Sequence, residues 1–378
     1  MSIWITRQET SPSERKRMAV KDLFDTSGVT TTYGSEVFAD HVPDRTAGAV
    51  QLLEAAGYAS AGKANLHEFA YGITSQNPHF GDVPNIRFPG RVAGGSSGGC
   101  AAAIAAEEAD AGLGTDTGGS IRIPAACCEV VGFKPTFGLV PLDGCFPLAP
   151  SFDHAGPLAR DVAGCAEMMR ALAGLSPPAL DTLEDIRVGV AWLDFADAEV
   201  RTVVEAAASR LPSALRIEPG LPEGIFDAFQ HEVAGTHREL FNRNRDRYGL
   251  NVRTKVERCI EVSHAQAARA NAIRERYRLD FAKAMADVDV FVAPTLPVVP
   301  PEADCDELLV RQRMTQLTFP LNAVGAPALA IPCGRTEGGL PVSMQVIGRS
   351  GDDGLVLAAG ALIEAALRNT AGLEFKPI

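Results

Sequence analysis

AGGSSGGCAAAIAA (93–106) sets two serines between paired glycines and runs straight into an alanine-rich helical pattern. Glycine tolerates positive φ and lets a backbone come close to another group. Three chemical readings compete with a bland one. A phosphate loop would need a Lys-Ser/Thr pair after the glycines, and none follows. Gly94-x-Ser96-x-Gly98 matches a nucleophile elbow in form. That motif needs a strand directly before it, whereas VPNIRFPGRV (83–92) has two prolines and no alternation, so the match reads as accidental. In the third reading Ser96 and Ser97 belong to a constellation completed elsewhere. The bland reading is a glycine turn whose serines cap the helix.

A second stretch, GLGTDTGGSIRIP (112–124), shifts the balance. Successive N–H groups in a turn such as Thr117-Gly118-Gly119-Ser120 can converge on one point, which is how an oxyanion hole is built. A serine at the end of that turn lies beside the carbonyl carbon the turn polarises. It still needs a base. His67 and His154 are available, but neither lies in a stretch that marks it. MAVKDLF (18–24) places Lys21 at the end of an apolar, strand-like run. Burial there disfavours the charged amine and lowers it from the free value near ~10.4, and a neutral lysine is another base that serine chemistry uses.

Composition bounds the rest. The chain has 378 residues, 46% hydrophobic and 22% charged, the profile of a globular protein with a sizeable core. A net charge of −12 disfavours nucleic acid or an anionic membrane as the main partner. No apolar run reaches transmembrane length, and MSIWITRQETSP lacks a signal-peptide core. Eight cysteines without a CxxC read as free thiols in a reducing cytosol. Seven histidines form no HExxH or HxxxH pair, so no metal is expected.

Helix and strand patterns alternate. DIRVGVAW (185–192) carries a short strand, and Asp197 is placed to cap a helix over 198–211. A long helix is expected over 254–286, then a buried strand in VDVFVAP (288–294). ALAIPC (328–333) and PVSMQVIG (341–348) are strands, and Asp352 caps a last helix to about Leu367. The recurring order predicts an α/β protein with a mainly internal sheet.

GGSSGG followed by GTDTGGSIR resembles the amidase signature family. In order, so do AVKDLFDTSGVTTTYGS (19–35), GKANLHEFAYG (62–72), VGFKPTFGLVP (131–141), SFDHAGPLAR (151–160), APALAIPCG (326–334) and LPVSMQVIG (340–348). The resemblance covers residues 19–367. It implies one α/β/α domain over residues 1–378, with a large mixed central sheet covered by helices. It implies a Ser–Ser–Lys triad in which Ser120 is the nucleophile and Ser96, with a cis peptide bond before it, bridges Ser120 to Lys21. Thr117, Gly118, Gly119 and Ser120 would supply the oxyanion hole. Ala70, Tyr71, Gly72 and Ile73 fall where relatives line the acyl pocket. Ser97 and Lys63 read as structural, Asp116 and Arg122 as an ion pair bracing the turn, and Asp153 and His154 as support behind it.

The implied activity is hydrolysis of a carboxylic amide through a Ser120 acyl-enzyme, without metal or cofactor. Aryl esters and carbamates share the acyl carbon and would enter the same route. Two alternatives stand beside it: the transamidating subunit of a glutamine-dependent amidotransferase complex, and a catalytically silent binding protein. The acidic charge and short N-terminal segment (1–18) weigh against the first, the intact triad against the second. That short segment would also leave a dimer surface open, so a homodimer is a candidate assembly. Residues 220–325 carry no motif and are expected to form the variable wall that sets specificity.

Overall fold

Strands form where short apolar or small-residue runs lie between turn residues, and helices cover the sheet they make. The protein is described from a computed structural model covering residues 1–8, 15–212 and 214–368. Its strands are β1 (Trp4–Arg7), β2 (Lys16–Lys21), β3 (Tyr58–Ala64), β4 (Ala111–Asp116), β5 (Val131–Lys134), β6 (His154–Ala159), β7 (Val188–Val190), β8 (Leu215–Arg216), β9 (Val290–Pro294), β10 (Ala328–Arg335) and β11 (Pro341–Ile347). They make one 11-stranded sheet in the order β1-β3-β2-β4-β6-β5-β10-β11-β9-β7-β8. β2 runs parallel to both β3 and β4, and β7 parallel to β8 and β9; the remaining pairs are antiparallel. The expected single α/β domain around a large mixed sheet is what the chain forms.

Alternation along β2 decides where its last residue points. Met18 and Val20 join the core under the helices Gly48–Ala55, Val162–Ala173, Ala198–Ala208 and Asp353–Arg368. Ala19 joins the opposite core, built on the helix Gly98–Ala105. With a side-chain period of two, Lys21 faces that second helix, whose N-terminus follows the serine turn. The helix can lie this close because it is made of small residues. At Gly99 a Cβ would meet Asn65 O at 2.3 Å.

Two local expectations change. The helix foreseen over 254–286 is two helices, Leu250–Ile260 and His264–Ala284. Ser263 starts the second with a capping box: its hydroxyl accepts from Gln266 N, and Gln266 Oε1 accepts from Ser263 N. Asp197 does stand at the N-cap of Ala198–Ala208, but its carboxylate bonds no helix amide and pairs with Arg313 at 2.6 Å instead. VPNIRFPGRV forms no strand beyond an isolated Pro84–Val92 bridge, so Gly94-x-Ser96-x-Gly98 is not an elbow on a strand end. All eight cysteines are free. Among the described residues, no helix is long and apolar enough to cross a membrane.

Candidate active site

Lys21, at the end of β2, is fully buried. Its Nζ donates to Ser96 Oγ and to Thr115 Oγ1, each at 2.7 Å. Burial pushes its amine down to about 8. The sequence reading missed Thr115, because a threonine inside the small-residue strand β4 looks like sheet filler. The parallel register of β2 and β4 was the signal that would have found it.

The Gly95–Ser96 peptide bond is cis, as the resemblance implied. The turn packs on residues 73–75: a Cβ at Gly95 would meet Ser75 N at 2.8 Å and Ile73 C at 3.0 Å. Ser96 O accepts from His67 N and Ser75 Oγ. Ser97 stands at the N-cap of Gly98–Ala105 without bonding a helix amide. It stitches the two serine stretches together instead. Its N–H donates to Ser120 O at 3.1 Å, its hydroxyl donates to Thr115 O at 3.1 Å, and Thr115 N donates to that hydroxyl.

Ser120 is 5% exposed. Among the described residues its hydroxyl makes no hydrogen bond, so the Ser96–Ser120 link is open in this state. Gly119, at φ +131°, turns the chain where a side chain would collide with Thr318 Oγ1 at 2.4 Å. Its amide, expected among the oxyanion donors, is given to Asp116 Oδ1 at 2.8 Å. This corrects the expected donor set. The amides of Thr117, Gly118 and Ser120 make no hydrogen bond among the described residues.

Asp116 and Arg122 form the anticipated ion pair, at 3.0 Å with both side chains fully buried. Burial alone would raise the Asp116 carboxyl. The Arg122 charge and hydrogen bonds overcome this and hold it well below the usual carboxylate range. Arg122 also donates to Thr318 O, Asn322 Oδ1 and Gln345 Oε1, tying the turn to distant segments. Asp153 accepts from Thr117 Oγ1 at 2.6 Å and from the Leu148 and Ala149 amides. Beside it lies a cavity of about 120 Å³ lined by Leu23, Thr115, Thr117, Cys145, Phe146 and Asp153, among others.

Neither histidine ring hydrogen-bonds the lysine or the serines among the described residues. His154 Nδ1 bonds Phe152 O, and burial drives its pKa well below the ordinary value. His67 Nε2 bonds Asn251 Oδ1, and burial, helped by the Lys255 charge, lowers it to about 3. Lys63 bonds Thr31 Oγ1 and lies 3.6 Å from Asp22, in the structural role foreseen. Ala70, Tyr71 and Ile73 are buried; Ile73 lies against Gly95, and the Tyr71 hydroxyl shares a hydrogen with Cys259 Sγ. Among the described residues, no group of three His, Cys, Asp or Glu side chains could hold a metal ion.

These features have counterparts. A family model described as Amidase matches residues 17–357. A glutamyl-tRNA(Gln) amidotransferase subunit from Roseiflexus castenholzii is 36% identical, over 93% of this chain and 82% of its own. The crystal structure of an amidase superposes with a TM-score of 0.85 and 36% identity, covering 93% of this chain and 84% of that one. The corresponding glutamyl-tRNA(Gln) amidotransferase subunit from Thermotoga maritima gives 0.80 at 27% identity, covering 97% and 87%. The chain belongs to the amidase signature family.

Proposed function

We propose that this protein cleaves a carboxylic amide through an acyl-enzyme on Ser120. The observation that carries the reading is the 2.7 Å bond from Lys21 to Ser96, inside a fully buried site that favours the neutral amine. Neutral Lys21 takes the Ser96 proton as Ser96 takes that of Ser120. Ser120 Oγ attacks the carbonyl, and the amides of Thr117, Gly118 and Ser120 hold the oxyanion. The proton returns along the relay to the leaving nitrogen. Water then follows the same path and releases the acid. Aryl esters and carbamates would follow the same route.

A fluorophosphonate reagent, which captures activated serines, tests the nucleophile. Labelling and benzamide turnover are expected in the wild type and lost in Ser120→Ala with the fold intact. Near-wild-type turnover by Ser120→Ala would refute the assignment.

The fate of the nitrogen separates two forms of this chemistry. The similarity to glutamyl-tRNA(Gln) amidotransferase subunits favours one in which ammonia cleaved from a glutamine-type amide passes to a partner protein over a free-standing amidase. Co-purification with a partner, and glutamine turnover that depends on it, would establish that form.

A further inference from the structure

An aromatic wall rises beside the nucleophile turn. A Cβ placed on Gly118 would lie 3.5 Å from the Phe319 ring. Phe319 stacks on Phe152 at 5.6 Å and meets Phe226 edge-on at 5.7 Å. Phe226 is 39% exposed, so the wall opens to solvent there. The Arg311 guanidinium lies over the Phe226 ring at 5.7 Å and over the Tyr71 ring at 5.2 Å. It is thus linked to the nucleophile turn through Phe226 and Phe319, which reaches Gly118.

Arg311 is under-used by its own protein. Among the described residues its one carboxylate neighbour is Glu307, 3.9 Å from Nε. Glu307 Oε2 is already taken by Lys255 at 3.1 Å and by Asn251, and its Oε1 is buried with no hydrogen-bond partner. Two cations therefore share one carboxylate. Glu68, the next acid, is engaged by Ser35, His79 and the Gly249 amide. The Tyr71 hydroxyl and Glu307 use at most two of the five N–H donors a guanidinium carries. Arg274, the other arginine on the wall, contrasts with it: its nitrogens donate to Ala323 O, Ser151 Oγ and Ser151 O.

We propose that Arg311 is a specificity residue that binds a carboxylate carried on a flat, apolar frame of the amide substrate, the frame lying on Phe226 and Phe319. The inference rests on amide cleavage at Ser120. It assigns a substrate class that this cleavage alone does not. An aromatic or similarly planar acid monoamide fits the wall.

The test compares 4-carboxybenzamide and benzamide as substrates of the wild type, Arg311→Met and Arg311→Lys. Binding of 4-carboxybenzamide to the same proteins is followed by calorimetry. The wild type is expected to prefer 4-carboxybenzamide to benzamide by roughly 30-fold in kcat/KM, the scale of a charge-assisted hydrogen bond. Arg311→Met should erase that preference and the calorimetric signal, and Arg311→Lys should restore part of both. Equal use of the two benzamides by the wild type, or an unchanged preference in Arg311→Met, would overturn the assignment while leaving amide cleavage standing. If no amide is turned over, the cleavage reading falls. Calorimetry then decides Arg311 alone: wild-type binding of 4-carboxybenzamide lost in Arg311→Met supports it, and no difference refutes it.

Discussion

Replacing Lys21 with methionine should remove the alkaline limb of the pH profile. The relay needs a neutral amine, and burial places that amine at about 8. At about pH 7 roughly one molecule in ten then carries a competent base, and at about pH 9 roughly nine in ten. Wild-type kcat/KM for benzamide should therefore climb about ninefold between these points and level off above them. A histidine base near its ordinary ~6.5 would already be flat over that range. His67 and His154 are further excluded by their lowered values and by ring hydrogen bonds that go to Asn251 and Phe152. The assay is kcat/KM from about pH 6 to about pH 10 for the wild type, Lys21→Met, His67→Asn and His154→Gln. Lys21→Met should lose the limb and lose several orders of magnitude on amides. It should lose less on activated esters, whose leaving group needs no proton. The histidine variants should keep the limb. A limb that survives in Lys21→Met, or disappears in either histidine variant, refutes the relay.

Two further outcomes follow from the same contacts. Lowering the buried amine from 10.5 to about 8 destabilises the fold by about 3 kcal/mol wherever the folded form is protonated. That penalty is complete below about pH 8 and gone above about pH 10.5. Lys21→Met should therefore be more stable than the wild type at neutral pH, with the advantage fading towards the alkaline end. Urea unfolding at several pH values checks this, and a variant no more stable at neutral pH contradicts it. Asp116→Asn strips the carboxylate from buried Arg122 and should cost about 3–5 kcal/mol by the same measurement, with a matching drop in kcat. Unchanged stability would show that the pair does not brace the turn.

What the sequence discloses is what backbone chemistry imposes on residue choice. The glycines around Ser96, and Gly119 before Ser120, are there because a Cβ would collide with a neighbour, so they are visible as a pattern. Lys21 is visible because a lysine ending an apolar strand is anomalous. Thr115 is invisible because its role depends on which strand lies beside β2, a fact of register and not of local composition. The loss of the Gly119 amide to Asp116 is likewise a matter of which lone pair wins in the folded turn. Arg311 lies in the stretch expected to be a motif-free wall, an expectation silent about the residue. The break at 261–263 was legible, since Ser263 and Gln266 have capping-box spacing, but the helical pattern on both sides hid it.

The brace on the nucleophile turn has a consequence for how the protein is born. Arg122 is fastened to Thr318, Asn322 and Gln345. Arg122 is synthesised 196, 200 and 223 residues ahead of these three partners. Domains fold as units as the chain emerges, and contacts this distant in sequence form late. Until β11 has been made, the Ser120 turn has its local Asp116 contacts and lacks the full set of distant ones. A chain arrested after Ser120 and before Gln345 would hold Lys21, Ser96 and Ser120 without the full set of clamps on the turn.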